Sequence, residues 1–404
     1  MSTYNVRKFA QPDVLKRVHP DNLIAFLTPY AAYLKEREFA LTTNGSGELE
    51  YEKLAGILMN PTENIPIEMV EALYFIQEMS DDDQFDELCE QAKQANLTLS
   101  DDCTPADAAV SLWLHDPELL KRPHAEVLAL KPKSFMYFQA KKKKKTKPLN
   151  PTAEQRQAME KDMDGWFLQN KRGNGSRVLA FPANDESKTY FLVRHGMPFK
   201  REGKIEDGQS RSIFYRPEFY DVVIYDNENC ELAIFNKSGA KKEREMYLAL
   251  FGEHFFGDVD HFPNDEKYTL QPLITQGIDA LTCSDIPGID EIKLTEIQLQ
   301  FRGPFNDRQT YRSKDFFSSL AARHREFPNY GELASASFSV KFEKAARPRT
   351  VKIRTPNVAN FDRKEDSHLV ETWLRKRGFV IEQEADEQHE HQGTADHLQE
   401  TALA

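Results

Sequence analysis

The sequence has no apolar run approaching the roughly 18–20 residues that cross a bilayer, so no membrane-spanning helix is expected. Its 404 residues include only four cysteines, Cys89, Cys103, Cys230 and Cys283. No two stand at Cys-x-x-Cys spacing, which removes a zinc ribbon and a thioredoxin-like redox site. Glycine (18) and proline (21) are too sparse for a fibrous or low-complexity protein. There is no P-loop, no G-x-G-x-x-G after a strand, no G-x-S-x-G elbow and no H-E-x-x-H, which argues against nucleotide hydrolysis and zinc proteolysis. The first twelve residues lack the apolar core of a secretory signal, and four scattered thiols suit a reducing compartment, so a cytoplasmic location is expected.

What is present is enough apolar and aromatic side chain, 40% and 11% of the residues, for more than one core. The net charge of −12 is unevenly placed. Residues 1–140 carry 12 Lys and Arg against 23 Asp and Glu, residues 341–381 carry 11 against 5, and residues 382–404 carry none against 7. An acidic front, a neutral middle, a basic module and an acidic end follow from that count.

Periodicity gives the expected fold class: α+β and multidomain, with an all-helical N-terminal domain followed by mixed α+β domains. Residues 12–40, 49–60, 66–79 and a segment opened by Thr104-Pro105 carry apolar side chains at three- and four-residue spacing. On this basis residues 1–140 form an acidic helical domain. Lys141, Lys142, Lys143, Lys144 and Lys145, with Lys147 beyond, repel one another and mark residues 141–151 as an exposed loop or linker. Residues 152–290 are expected to be a central α+β domain. It has a helix over 152–170, strands near 177–181, 189–194 and 212–215, a hairpin of 220–226 and 231–235, and a helix from 241. Residues 291–381 are expected to be a basic α+β module, and 382–404 a disordered acidic tail whose His389, His391 and His397 have no rigid frame for a metal. In 292–301 the apolar parity switches at Thr295-Glu296, the mark of a β-bulge.

Three constellations could carry chemistry. The strand end Tyr190-Phe-Leu-Val-Arg194-His195-Gly196 resembles the nucleophile motif of histidine phosphatases. That resemblance implies a phosphoryl-accepting His195 with Arg194 holding phosphate oxygens. Against it stands the plainer reading of a strand ending at a turn made by Gly196 and Pro198. The hairpin Asp221-Val-Val-Ile-Tyr-Asp226 and Glu231-Leu-Ala-Ile-Phe-Asn-Lys237 resembles metal-dependent nucleases of the restriction-endonuclease type. In those enzymes carboxylates hold magnesium and a lysine supports the attacking water, so the resemblance implies Asp221, Asp226, Glu231 and Lys237 as a magnesium site. Glu231 is followed by Leu-Ala rather than x-Lys, a departure from that pattern.

The third constellation is basic. Arg347, Arg349, Lys352 and Arg354 lie on or beside one expected hairpin, and Arg375, Lys376 and Arg377 close the next helix. Such side chains suit DNA or RNA phosphates, which position a partner without reading its sequence, or an acidic protein surface. The leading expectation is a non-catalytic adaptor or accessory subunit of a multi-protein assembly, with no cofactor. Its helical domain would meet a protein partner, and its lysine run and basic module would meet nucleic acid. A bacterial anti-phage system would suit such a chain. The diverged nuclease is the alternative, with magnesium as its metal.

Overall fold

The computed structural model describes residues 4–41, 49–142, 149–183, 187–363 and 366–382. Lys143, Lys144, Lys145, Lys147 and the acidic tail, with its three histidines, lie outside the described residues. No helix among those described is long and apolar enough to cross a membrane. The chain divides into two compact units, Met1–Lys131 and Pro132–Ala404.

The first unit is helical. It comprises α1 (Pro12–Leu15), α2 (Pro20–Leu27), α3 (Ala31–Glu36), α4 (Tyr51–Met59), α5 (Ile67–Met79), α6 (Phe85–Gln94), α7 (Pro105–His115) and α8 (Glu118–Leu130). The helical stretch expected over 12–40 is three short helices. Pro20 takes the first position of α2, where its missing N–H is no loss, and Pro29 sits in a 3-10 turn ahead of α3. Thr104 caps α7, accepting from the Asp107 amide at 3.3 Å. On α5 the buried side is Met69, Ala72, Leu73, Ile76 and Met79, the stripe a 3.6-residue period gives. These side chains join Leu23, Phe26, Leu54 and Leu112 in one core.

The second unit begins earlier than the expected limit at residue 140. Ser134–Gln139 is a strand, β1, because its run Phe-Met-Tyr-Phe is apolar on both faces and is covered on both. Then follow α9 (Ala153–Gln169), β2 (Arg177–Pro182), β3 (Lys188–Gly196), β4 (Lys200–Glu206), β5 (Gln209–Tyr215), β6 (Glu218–Asp226), β7 (Glu231–Phe235) and α10 (Lys241–Phe256). The chain continues through α11 (Gln271–Thr275), β8 (Ile289–Gln300), β9 (Arg308–Arg312), α12 (Phe316–Ala322), β10 (Glu332–Phe342), β11 (Arg349–Arg354), β12 (Val358–Asn360) and α13 (Ser367–Lys376). Thr152 and Gln155 form a reciprocal capping box at the start of α9.

Ten strands make one antiparallel sheet in the order β2-β3-β6-β7-β1-β12-β11-β10-β8-β9, and β4-β5 is a separate two-stranded hairpin. The boundary expected near residue 290 therefore does not divide the strands into separate sheets: β1 pairs with both β7 and β12 and joins the two halves. The bulge falls where the parity switch put it. Ser337 pairs with Glu296 and Phe338 with Leu294, leaving Thr295 as the extra residue.

The register assigns the faces. One carries Phe191, Val193, Val223, Tyr225, Leu232 and Ile234 and is covered by α9 and α10. Followed across β12, that same face becomes polar: Arg354, Lys352, Ser335, Ser337, Glu296 and Arg312. The opposite face carries Phe135, Ile353, Ala336 and Phe338, and Trp373 of α13 and Phe379 pack on Phe338 with ring centroids at 5.0 and 5.5 Å.

Candidate functional site

The side chains that could do chemistry fall into two closed clusters and one open surface. Under α9 and α10, His195 ends β3 with its ring parallel to Phe167, centroids 4.6 Å apart. Its Nδ1 lies 2.9 Å from the Gly196 carbonyl and its Nε2 3.1 Å from Asp221 Oδ2. Both partners are acceptors: Asp221 also accepts from the Tyr247 hydroxyl at 2.8 Å and the Lys237 amide at 2.7 Å. Both ring nitrogens therefore face acceptors, an arrangement that favours the imidazolium of His195 beside the buried Asp221 carboxyl group. Burial alone would lower its pKa, but the hydrogen bond and charge of Asp221, with the Gly196 carbonyl, hold it above its ordinary value. Burial, then Asp221 and Glu243, push the Tyr247 hydroxyl well above its usual range.

Glu243, fully buried on α10, completes this cluster. It takes a salt bridge from Arg172, a hydrogen bond from Asn236 Nδ2 at 2.9 Å and another from the Ser238 hydroxyl. Ligand atoms of His195, Asp221 and Glu243 lie within 4.8 Å of one another, the one such group among the described residues. The Nε2 proton and the Arg172 guanidinium already supply the positive charge that these carboxylates need. The arrangement is a sealed ionic network that fastens β3, β6 and α10. A Cβ on Gly196 would stand 2.5 Å from the Arg172 carbonyl oxygen, so the strand end needs glycine to let the Arg172 loop approach.

The phosphatase resemblance fails on this geometry. His195 is shut under Phe167 with both nitrogens committed. Arg194, one residue away, projects to the opposite face and meets Glu218 at 3.7 Å and the Gly175 carbonyl at 3.3 Å.

On the other face of the same strands lies a second cluster. The register aligns Lys188, Asp226, Glu231 and Gln139 across β3, β6, β7 and β1. Lys188 meets Glu371 of α13 at 3.0 Å and Asp226 at 3.9 Å, and Glu231 is salt-bridged to Lys267. Burial raises the pKa of Glu231 in spite of Lys267, whereas Lys188 and Lys267 outweigh burial at Glu371 and lower it. Asp226 also shapes the hairpin turn, accepting from the amides of Glu228 and Asn229 at 3.0 and 2.9 Å.

The nuclease constellation does not assemble. Asp221 and Asp226 are an odd number of residues apart on β6, so they face opposite sides of the sheet and stand roughly 17 Å apart along it. Asp226 and Glu231 are cross-strand partners, but Asp221 belongs to the other cluster. It is the backbone amide of Lys237, not its ammonium, that reaches Asp221, and the Lys237 side chain is exposed. These carboxylates cannot share one magnesium ion.

The open surface is the polar face of β11, β10, β8 and β9. Several of the expected phosphate contacts, on this face and elsewhere in the unit, are engaged within the protein. Arg349 meets Asp366 at 2.9 Å, and Lys352 meets Glu296 at 2.8 Å. Lys376 and Arg377 pair with Asp285, Arg375 donates to Asn229 at 2.7 Å, and Lys141 meets Asp258 at 3.0 Å. Among the described residues, Lys344, Arg347 and Arg354 are exposed and enter no ion pair. Burial would raise the pKa of Glu296, but Lys352 and Arg312 on either side lower it. Beside it runs an open cleft lined by Thr295, Arg312, Lys314, Ser337 and Thr350. A second cleft opens behind β9 and shares Arg312 and Ser313 with the first. Sequence reasoning missed Arg172, Glu243, Lys267 and Arg312, because each acts through a partner distant in the chain.

No protein-family model matches the chain, and no curated protein matches it either.

Proposed function

We propose that this protein is a non-catalytic binding subunit that contacts nucleic-acid phosphates through the polar face of β11, β10, β8 and β9. The observation that carries this reading is a contrast in access. The titratable clusters of the other half of the sheet are committed to one another, whereas Arg347, Arg354 and Lys344 are exposed and, among the described residues, enter no ion pair. Exposed cations beside a polar sheet face suit the phosphate backbone of a nucleic acid. The acidic helical unit is the surface we assign to a protein partner. The setting we propose is an accessory role in a multi-protein assembly, such as a bacterial anti-phage system.

The test is fluorescence anisotropy with a labelled oligonucleotide and the full chain. With roughly four to six phosphates engaged, raising salt from 50 to 200 mM weakens binding about a hundred-fold. Reversing charge in Arg347→Glu with Arg354→Glu weakens it further at fixed salt. Affinity indifferent to both salt and charge reversal would falsify the reading.

A further inference from the structure

The cleft behind β9 has about 420 Å³ of space, within the range of small-ligand sites. Its cations are all arginines, Arg312, Arg323 and Arg325, set among the rings of Tyr311, Phe327 and Tyr330. One lining residue, Glu326, is acidic. Arg323 and Arg325 are exposed and enter no ion pair among the described residues.

Local hydrogen bonds and ring contacts shape this cleft. Asp315 caps α12, accepting from the Ser318 amide at 3.1 Å. The helix ends at Ala322; beyond it His324 has a left-handed φ of 50°, and the Arg325 amide returns to the Leu320 carbonyl at 2.9 Å. That turn places Arg323 and Arg325 on either side of one residue. Phe327 then folds back on Phe317, centroids 5.7 Å apart, and edge-on to Phe316 at 5.8 Å. Tyr330 lies parallel to Phe301 at 6.1 Å, its hydroxyl meets that of Tyr311, and it is still 46% exposed.

We infer that this cleft receives unpaired nucleotides of a single-stranded nucleic acid. A guanidinium offers a planar fork to phosphate oxygens and a flat face to a base, and lysine offers neither. Aromatic rings beside such cations are the stacking platform that single strands use. The shared Arg312 and Ser313 set the cleft next to the polar sheet face, so a strand bound along that face would meet it at β9. The inference rests on the nucleic-acid reading above and adds to it a strandedness and a place.

The experiment uses the full chain, a labelled twelve-nucleotide oligo(dT) and oligo(U), a blunt duplex, and a polyglutamate peptide as competitor. Three exposed-site variants are compared: Arg323→Gln with Arg325→Gln, Tyr330→Ala and Tyr330→Phe. The paired arginine variant is expected to weaken single-strand binding tenfold or more and to lower the log–log salt slope by about 1.4. Tyr330→Ala is expected to weaken it at least about fivefold, with Tyr330→Phe restoring most of that and the duplex indifferent to both. Unchanged single-strand affinity in these variants, with loss on Arg347→Glu and Arg354→Glu, overturns the cleft and leaves the sheet face as the binding surface. Polyglutamate displacing the oligonucleotide at equal charge, with Tyr330→Ala silent, overturns the nucleotide specificity in favour of an acidic peptide. No binding of any probe at 50 mM salt overturns both the cleft and the function it rests on.

Discussion

The two halves of the ten-stranded sheet share one backbone plan and differ in how they treat charge. Over β3, β6, β7 and β1 both faces are largely covered, and each strand brings a charged or polar group inside: His195, Asp221 and Asp226, Glu231, and Gln139. Over β11, β10, β8 and β9 the face away from α13 is polar, and its pairs, such as Lys352 with Glu296, lie near water. In the covered half a charge cannot be removed alone, because its partner stays behind in low dielectric. In the uncovered half water replaces a lost partner, so individual charges are replaceable and available to ligands. The covered half is thus the frame, and the uncovered half is where a partner can bind without unfolding anything.

The sharpest way to break this comparison is to unpair the most buried charge. Arg172→Met leaves Glu243, wholly buried, without its cation. The expected loss is about 3–5 kcal/mol, read from urea unfolding of the full chain. A loss below about 1 kcal/mol would place that pair among surface contacts and remove the distinction between the halves.

Next in size is Asp221→Asn, which removes the acceptor charge from His195 and Tyr247 and is expected to cost about 1.5–3 kcal/mol near pH 6. It also alters pH dependence. The groups around the His195 ring are Phe167, Asp221, Tyr247 and, by its charge, Glu243, with Arg172 over Phe167. The folded pKa of His195 is raised, so its stabilising contribution is complete below the ordinary value near 6.5 and is lost as pH rises through the folded value. Unfolding midpoints of the unaltered chain should therefore fall across that window. In Asp221→Asn the fall should shrink, and an undiminished slope would assign it to another group.

Much of this frame could be read in the chain before any coordinates. The Asp226-Asn-Glu-Asn turn between two apolar runs located β6 and β7, because a hairpin signal is local to the chain. The parity switch located Thr295 as the bulge, since it too lies within one strand. The strand β1 was illegible: covered on both faces, it has no alternation, and it follows a helical domain without a break in composition. The site was harder still. Asp221 and His195 could be singled out by type, but what they do depends on Arg172, Glu243 and Tyr247, which α9, α10 and the strands bring together from across 75 residues. The same limit hid the pairing of Lys352, Arg349 and Arg377, so a basic sequence module became a surface with only some of its charge free.

The smallest expected effect on stability tests the uncovered half most closely. Glu296 sits between Arg312 and Lys352, and each of those cations reaches solvent on its far side. Glu296→Gln removes both attractions at once, yet its cost should stay within about 1 kcal/mol because water screens what remains. Binding should move the other way. Two cations released from an internal carboxylate can each meet a phosphate, so single-strand affinity at 50 mM salt should rise and the salt slope should steepen by up to about 1.4. Stability and affinity measured on the same preparation separate the possibilities. A large loss of stability would make the Arg312–Glu296–Lys352 row belong to the frame, and affinity that falls with the carboxylate gone would mean that Glu296 positions the arginine and lysine for the ligand instead of competing with it.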